Sequence, residues 1–224
     1  MLRDFFSSKV LESIVLDGTS FTVKHTLKKN MKRIILRVEK KNQIRISSSK
    51  VSQKRLVAFI NENKRWIMQR QAQIKDPFEE GSLFFYLKRG YRIKHHDEAF
   101  CINGETAFLN PLKPKAQSDE FYKRSAQDFL PSRVSYWQEK MDVEYKALKF
   151  RLAKRRWGSC NSLGIVTLNP YMMKLDHEMI DYIIVHELAH LMHLNHSKAF
   201  YKLVGQYIPN YKTIEKEINS LNLG

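Results

Sequence analysis

The chain has 224 residues and a formal net charge of +16, because 39 Lys or Arg stand against 23 Asp or Glu. Hydrophobic residues make up 43% and aromatic residues 12%, which is enough apolar material for a folded core and excludes a wholly disordered chain. Two cysteines, Cys101 and Cys160, exclude a disulfide framework. No apolar run approaches the roughly 20 residues of a membrane helix, and residues 1–8 do not resemble a signal peptide. We therefore expect a basic cytoplasmic protein without a membrane partner.

Positive charge is concentrated in two stretches of the chain. Residues 1–60 carry 14 Lys or Arg against 4 Asp or Glu. The second stretch, residues 146–156, contains no acid and six basic residues, namely Lys146, Lys149, Arg151, Lys154, Arg155 and Arg156. Such clusters attract polyanions, which makes nucleic acid a candidate partner. Solvated strand faces are the alternative explanation of this charge, since charge alone identifies no groove-reading element.

The first half of the chain is predicted to be rich in β-structure. Apolar residues alternate over 34–46 around a polar turn, and this pattern predicts a pair of strands. A helix is predicted to begin after the N-cap residue Ser52 and to continue to about Gln73. Strand patterns over 83–109 predict two hairpins, with turns at 88–90 and at Asn103-Gly104. The Pro-containing segment 110–118 is the predicted linker, so we expect a β-rich domain over 1–112 with one inserted helix.

Helices are predicted to dominate the second half, which we expect to form a domain over 119–224. Its predicted elements are a helix over 119–141 kinked or split at Pro131, a hairpin of strands 147–153 and 165–168, an apolar helix over 176–193, and two helical stretches on either side of Pro209. The fold class predicted from both halves is α+β.

The sequence His186-Glu187-Leu188-Ala189-His190 matches the H-E-x-x-H motif within the predicted apolar helix. Residues four apart lie on one helix face, so both imidazoles can reach a single cation. Glu187 follows the first ligand and can take a proton from metal-bound water without binding the metal itself. The pattern therefore predicts a zinc-dependent hydrolase.

A third ligand is expected after the helix, and two histidines are available. His193 lies on the same helical face as His186 and His190, about 10.5 Å along the axis from His186, which crowds one side of the ion. His196 follows Asn195, a residue that tolerates the left-handed conformation of a turn, and can approach from another direction. We therefore predict that His196 is the third ligand and that His193 lies in a supporting or surface position.

Several blocks of sequence resemble the YgjP-like metallopeptidase family, whose members are described as metal-dependent hydrolases similar to the SprT-like and WLM zinc proteases. The blocks are Trp157-Gly158-Ser159-Cys160, Leu168-Asn169, residues 180–191, Asn195-His196-Ser197 with Phe200, and Pro209-Asn210-Tyr211-Lys212. The resemblance implies zinc at His186, His190 and His196, a catalytic Glu187, and a zincin-like C-terminal half. The family more often has Trp at position 201 and Asp at position 210, but neither position is a ligand.

Four residues near these blocks are candidates for substrate binding. Asn169 follows the predicted strand 165–168, which could offer its edge to an extended peptide; capping the next segment is the alternative role. Trp157 begins a segment that forms either a wall of the site or a hairpin turn with a buried indole. Arg156 and Tyr201 are candidate donors to a tetrahedral oxyanion.

The leading functional hypothesis is a zinc peptidase acting on a peptide or protein substrate, with nucleic-acid-associated proteins as a narrower version. A metal-dependent phosphohydrolase acting on nucleotides is the first alternative, although neither a P-loop nor a carboxylate cluster for Mg²⁺ is present. A nucleic-acid-binding module with a structural zinc is the second alternative. The Glu within the motif and the lack of a fourth protein ligand argue against it.

Overall fold

The computed structural model describes residues 8–74 and 76–221, which fall into two compact units, Met1–Glu79 and Glu80–Gly224. Residues 1–7, on which the expectation about a signal peptide mainly depends, lie outside the described part. Among the described residues, no helix has both the length and the apolar character needed to cross a bilayer.

The first unit contains a four-stranded sheet and two helices. Its strands are β1 (Ser8–Leu16), β2 (Thr19–Leu27), β3 (Ile35–Lys40) and β4 (Gln43–Ser48), in the order β1-β2-β4-β3. The central pair β2–β4 is parallel, and the two outer pairs are antiparallel. The predicted strand pair over 34–46 is therefore confirmed.

One predicted helix of the first unit is divided into two, α1 (Gln53–Glu62) and α2 (Lys64–Gln73). Ser52 is confirmed as the N-cap, because its side chain accepts a hydrogen bond from the Arg55 N–H. The break falls at Asn63, whose side-chain amide donates to the Phe59 carbonyl at 2.8 Å. A side chain that competes for a backbone partner in this way favours a helix boundary.

The core of the first unit lies between one face of the sheet and the two helices. Its buried members come from both, and they are Leu16, Phe21, Val23, Ile44, Ile46, Leu56, Ile60 and Ile67. Alternation along β4 places Ile44 and Ile46 inside, and helical spacing places Leu56 and Ile60 opposite them.

The second unit begins with a sheet of four short strands, in the order β5-β6-β8-β7. The strands are β5 (Leu83–Tyr86), β6 (Arg89–His95), β7 (Cys101–Asn103) and β8 (Thr106–Leu109). The turn at Asn103-Gly104 is confirmed. The other turn lies at Leu87 and Lys88, not at 88–90, and both residues have positive φ. Their N–H groups donate to the carbonyls of Met173 and Lys174, which hold this unfavourable conformation in place.

Helix α3 (Pro114–Met141) begins inside the predicted linker and continues through Pro131 without being split. Rings from β5 and from the segment before β7 pack on this helix, since Phe84 lies 5.1 Å from Tyr122 and Phe100 lies 4.5 Å from Phe121. These contacts place the sheet over 83–109 in the second compact unit, whose boundary falls at Glu79/Glu80. The assignment of separate domains to 1–112 and 119–224 stays a prediction.

Three strands then form a small mixed sheet, in which the predicted hairpin pairing is wrong. The strands are β9 (Ala147–Phe150), β10 (Gly158–Cys160) and β11 (Ile165–Leu168), in the order β10-β11-β9. β9 and β11 are parallel, and the antiparallel partner of β11 is β10, within the predicted turn. Asn161 fixes the tight β10–β11 connection, because its side-chain oxygen accepts from the N–H groups of Leu163 and Ile165. β11 is the central strand, so the expectation that it offers a free edge is also wrong.

A short 3-10 helix, Pro170–Lys174, leads into α4 (His177–Ala189), α5 (Lys198–Tyr207) and α6 (Tyr211–Ser220). Asp176 caps α4, since its side chain accepts from the Met179 N–H. Helix α4 ends at Ala189, earlier than the predicted 193, and His190 stands at its C-cap. The two helices on either side of Pro209 are confirmed as α5 and α6.

Candidate metal centre

Helix α4 carries the first part of the candidate site at its C-terminal end. Its apolar side chains are buried all around, which is typical of a helix in the centre of a domain, and they include Met179, Ile180, Ile183, Ile184, Val185, Leu188 and Ala189. His186 and Glu187 lie in the last turn of this helix, and His190 follows directly. The rigid surroundings fix the direction of all three side chains.

The structure brings His186, His190 and His196 together, and one ring nitrogen from each lies within 4.8 Å of the others. The Nε2 atoms of His186 and His196 are 3.0 Å apart. His196 reaches the other two rings from the loop that precedes α5, after the chain has left α4. His193 stays outside this group, as expected for a supporting position.

Each ligand candidate on α4 is oriented through its other ring nitrogen. The Nδ1 atom of His190 lies 3.0 Å from the His193 carbonyl, which can only accept, so Nδ1 carries the proton there. The Nδ1 atom of His186 lies 3.5 Å from the Tyr182 hydroxyl, one turn earlier on α4. The contact with the carbonyl leaves His190 Nε2 as the free, lone-pair nitrogen, which is the arrangement a metal requires.

Aromatic rings from α5 support the three imidazoles. Phe200 is fully buried, and its ring centroid lies 4.6–4.9 Å from those of the three histidines. Tyr201 stacks on His196 at 6.0 Å, and Tyr211 of α6 stacks on Tyr201 at 5.6 Å. His196 is exposed on its other side, so this stack is what restrains it.

The charge state of His186 and His190 suits metal binding. The pKa of His186 is lowered to about 4, mainly by burial and also by the neighbouring His190 and His196. Burial is also the main reason that the pKa of His190 is lowered. Neutral imidazoles are the form that binds divalent metals. The three residues therefore fit a divalent cation by donor type and proximity, and His186 and His190 fit it by protonation as well.

Glu187 is the one acidic side chain in this part of α4 that is buried, with 6% of its surface exposed. Burial raises the pKa of Glu187 to about 8, although Arg156 and a hydrogen bond from the Cys160 N–H act in the opposite direction. A buried carboxyl with few partners is costly for stability and is typical of a functional site.

Strand β10 forms the wall beside the Glu187 carboxyl. A Cβ atom added to Gly158 would stand 2.6 Å from both Cγ and Oε1 of Glu187. Residues 157, 159 and 161 face β11 in the ladder, as shown by the bonds from Asn169 N to Trp157 O and from Asn161 N to Ile165 O. The backbone groups of Gly158 and Cys160 therefore point to the free edge.

Comparison with known proteins identifies the family of this chain. The match to the YgjP-like metallopeptidase domain extends over residues 32–221. This chain belongs to the YgjP-like metallopeptidase family. A comparison with curated proteins gave no significant match.

Two solved structures match part of this YgjP-like chain. The metallopeptidase zymogen of Pyrococcus abyssi abylysin is 26% identical, with 40% of this chain and 91% of that chain covered and a TM-score of 0.38. The metallopeptidase zymogen of Methanocaldococcus jannaschii jannalysin is 24% identical, with 39% and 91% covered and a TM-score of 0.36. The family match by itself supports a metal-dependent peptidase with a divalent metal and a protein or peptide substrate.

The structure places the four substrate-binding candidates of this YgjP-like domain in different surroundings. Asn169 is 2% exposed, and its side chain donates to the carbonyls of Ala153 and Arg156 and accepts from the Tyr171 N–H. Its contacts are thus internal and hold the end of β11. Trp157 and Arg156 line a groove beside β10, and Tyr201 stacks on His196. A substrate contact for each of the four stays a prediction.

Sequence reasoning did not predict the contacts that three residues, Tyr182, Phe200 and Gly158, make at the site. Tyr182 lies beside His186, whereas the neighbouring Asp181 pairs with Arg133 of α3. The position of Tyr182, four residues before His186, is the signal that could have identified it. The contacts of Phe200 and Gly158 depend on tertiary packing, and no local sequence pattern predicts them.

Proposed function

We propose that this chain is a zinc peptidase in which His186, His190 and His196 hold the metal and Glu187 serves as the general base. The convergence of three imidazoles next to a buried glutamate is the observation that carries this proposal. Zinc is the divalent metal that a set of three histidines most often holds in catalytic sites. When bound, the metal supplies a Lewis acid that polarises the scissile carbonyl and acidifies water.

Glu187 has the surroundings that a proton carrier needs. A carboxylate there can accept the proton of the attacking water and then donate it to the leaving amine. A raised pKa favours holding that proton between the two transfers, since the protonated form is the more stable one in a buried site. The Cys160 N–H donates to the same carboxyl and keeps it directed toward the β10 side of the site.

The free edge of β10 offers a place for the substrate backbone. Gly158 and Cys160 direct backbone groups away from β11, and the Cys160 N–H is already used by Glu187. An extended peptide can add to such an edge through main-chain hydrogen bonds. This position would lay the peptide along the wall that also holds the Glu187 carboxyl, so binding and chemistry would share one strand.

Three matched proteins test the proposal. Zinc-loaded wild type should cleave an unfolded protein substrate, while Glu187→Gln should bind zinc with unchanged affinity and lose at least a hundredfold in rate, as is usual for a general base. His196→Ala should bind zinc more weakly and also lose cleavage. Equal cleavage by wild type and Glu187→Gln would refute the role of Glu187. Release of phosphate or pyrophosphate from nucleoside triphosphates, with no peptide cleavage, would refute the peptidase itself.

A further inference from the structure

A groove of about 640 Å³ lies beside strand β10, the strand that packs against Glu187. It is lined by residues of β9, of the segment 151–157, of β10 and of β11. Gly158 belongs to this lining and also contacts the Glu187 side chain. The groove therefore reaches the strand against which the carboxyl that we propose as the base is packed.

The charged side chains that line this groove all have the same sign. They are Lys149, Arg151, Lys154, Arg155 and Arg156, and no acidic residue lines the groove. All five are exposed. Within the described part of the chain, no ion pair involves any of them. Five cations in one concave surface repel each other, and an anionic ligand would relieve that repulsion.

We infer that this groove binds acidic side chains of the substrate, so that the enzyme prefers polypeptide segments rich in Asp and Glu. The inference rests on the proposed function, because it assigns a substrate class to that same site. A peptide added to the free edge of β10 would direct alternate side chains toward the groove. Guanidinium groups such as those of Arg151 and Arg155 bind carboxylates through paired hydrogen bonds, which adds direction to the attraction.

Carboxylates fit the position of the groove better than phosphates do. The groove borders β10, whose edge presents main-chain N–H and C=O groups. A polypeptide can form hydrogen bonds with these groups through its own main chain. A polypeptide also carries its own anions at the spacing of its residues. A polynucleotide would be a separate partner from the molecule being cleaved, and it is treated as an outcome of the experiment.

Binding to zinc-loaded Glu187→Gln separates recognition from turnover. The probes are three unstructured fluorescent peptides of equal length, identical except that the flanking positions carry Asp and Glu, their amides Asn and Gln, or Lys. The acidic peptide should bind roughly tenfold more tightly than the amide peptide, as expected for several partly exposed charge pairs. The difference should shrink as salt is raised from 50 mM to 500 mM, because salt screens such pairs.

Arg151→Glu with Arg155→Glu, in the Glu187→Gln background, should abolish the preference for the acidic peptide. Lys94→Glu with Lys123→Glu is the matched control, since it changes the net charge equally at exposed positions that do not line the groove. Equal binding of the three peptides would overturn the inference. If the control variant also loses the preference for the acidic peptide, the preference depends on net charge alone. That result would also overturn the inference.

Two further measurements, of DNA binding and of peptide cleavage, distinguish failure of this inference from failure of the proposed function. Single-stranded DNA that binds more tightly than the acidic peptide, and that loses binding in the groove variant, would assign the groove to nucleic acid and overturn the inference. Cleavage of the three peptides by zinc-loaded wild type reports on the proposed function separately. Failure to cleave any of them would count against the peptidase, while the binding data would still decide what the groove prefers.

Discussion

Gly158 and Glu187 are packed so closely that no side chain fits between them. A Cβ atom at position 158 would lie 2.6 Å from Glu187 Oε1 and 2.8 Å from its carboxyl carbon. The φ angle of Gly158 is not in the left-handed region, so close approach, and not backbone freedom, is the reason for glycine here. The carboxyl of Glu187 is thereby seated against the β10 backbone.

We predict that Gly158→Ala reduces cleavage by roughly 10- to 100-fold while zinc affinity stays within about threefold of wild type. The added methyl group must displace the carboxyl, and a displacement of about 1 Å at a reacting group costs rate on this scale. Steady-state kinetics and a chelator competition for zinc check the two parts. Gly90→Ala is the control and should retain activity, because a Cβ atom there would meet its neighbours at an ordinary 3.5 Å. Unchanged kinetics in Gly158→Ala would mean that the position of Glu187 is not critical.

The ligand candidates were the part of the site most accessible from the sequence. The spacing of His186, Glu187 and His190 depends only on the helix repeat, and the choice of His196 over His193 depends on where a helix can end. The structure brings those three histidines together. The role of Gly158 depends on how a strand packs against a helix about 30 residues later in the chain. Local sequence patterns do not predict the close approach of Gly158 to Glu187.

Pairing of the strands was less accessible than their location. The segment 165–168 was correctly predicted as a strand, but its partners are β10 on one side and the parallel strand β9 on the other. A parallel pair needs a long crossover, here residues 151–164 with β10 inside them, and the alternation pattern does not reveal which pairing will form. The turn at Leu87 and Lys88 was missed for a similar reason, since distant carbonyls of Met173 and Lys174 stabilise its positive φ angles.

Tyr182 is predicted to position His186 and not to take part in the chemistry. Its hydroxyl oxygen lies 3.5 Å from His186 Nδ1, and nearby Glu215 also interacts with this hydroxyl. Removal of a hydrogen-bond partner of a ligating histidine usually weakens metal binding by about 10- to 100-fold. We expect Tyr182→Phe to weaken zinc binding on this scale, as measured by chelator competition.

Saturating zinc should restore much of the cleavage rate of Tyr182→Phe, which distinguishes a positioning residue from a catalytic one. Tyr136→Phe on the exposed face of α3 is a suitable control, because that ring is 41% exposed and contacts Trp137 instead. Wild-type zinc affinity in Tyr182→Phe would show that His186 needs no such support.

A buried histidine in the first unit gives a prediction about stability. The Ser48 hydroxyl donates to the Ser49 carbonyl at 2.8 Å, so it must accept at 2.8 Å from His25 Nε2. Ser48→Ala removes that acceptor and leaves a buried N–H without a partner, which costs about 1–3 kcal/mol. Urea unfolding followed by circular dichroism should show this loss. Ser47→Ala, one residue earlier on β4, should change stability by less than about 0.5 kcal/mol.

The same histidine should make stability depend on pH. Burial lowers the pKa of His25 below its ordinary value of 6.5, so the unfolded chain binds this proton more readily than the folded one. Its contribution should therefore be full above pH 6.5 and should decline as the pH falls from there toward the lowered pKa. His25→Gln, which cannot ionise, should show a smaller drop in midpoint urea concentration between pH 7.5 and pH 5. An identical drop in both proteins would exclude His25 as a source of this dependence.

Asp176 links the N-terminus of α4, the helix that carries His186 and Glu187, to the turn at Lys88. Burial opposes ionisation of Asp176, but hydrogen bonds from Lys88 and from the Met179 N–H outweigh it and lower the pKa of the carboxyl. Asp176→Ala removes the helix cap and should cost about 1 kcal/mol of unfolding free energy. Asp176→Asn keeps a capping oxygen and removes only the charge.

The two Asp176 variants should separate capping from charge as the pH changes. A depressed pKa means that the folded chain releases this proton more readily than the unfolded one, so the charge stabilises above pH 3.8 and less as the pH falls through the lowered pKa. Wild type should therefore melt at a higher temperature than Asp176→Asn at pH 7, with the gap narrowing near pH 3. The gap between Asp176→Asn and Asp176→Ala should stay constant, because the amide cap does not titrate. A wild-type advantage over Asp176→Asn that is equally large at pH 3 would contradict the role of the ionised carboxylate and would leave only the geometry of the cap.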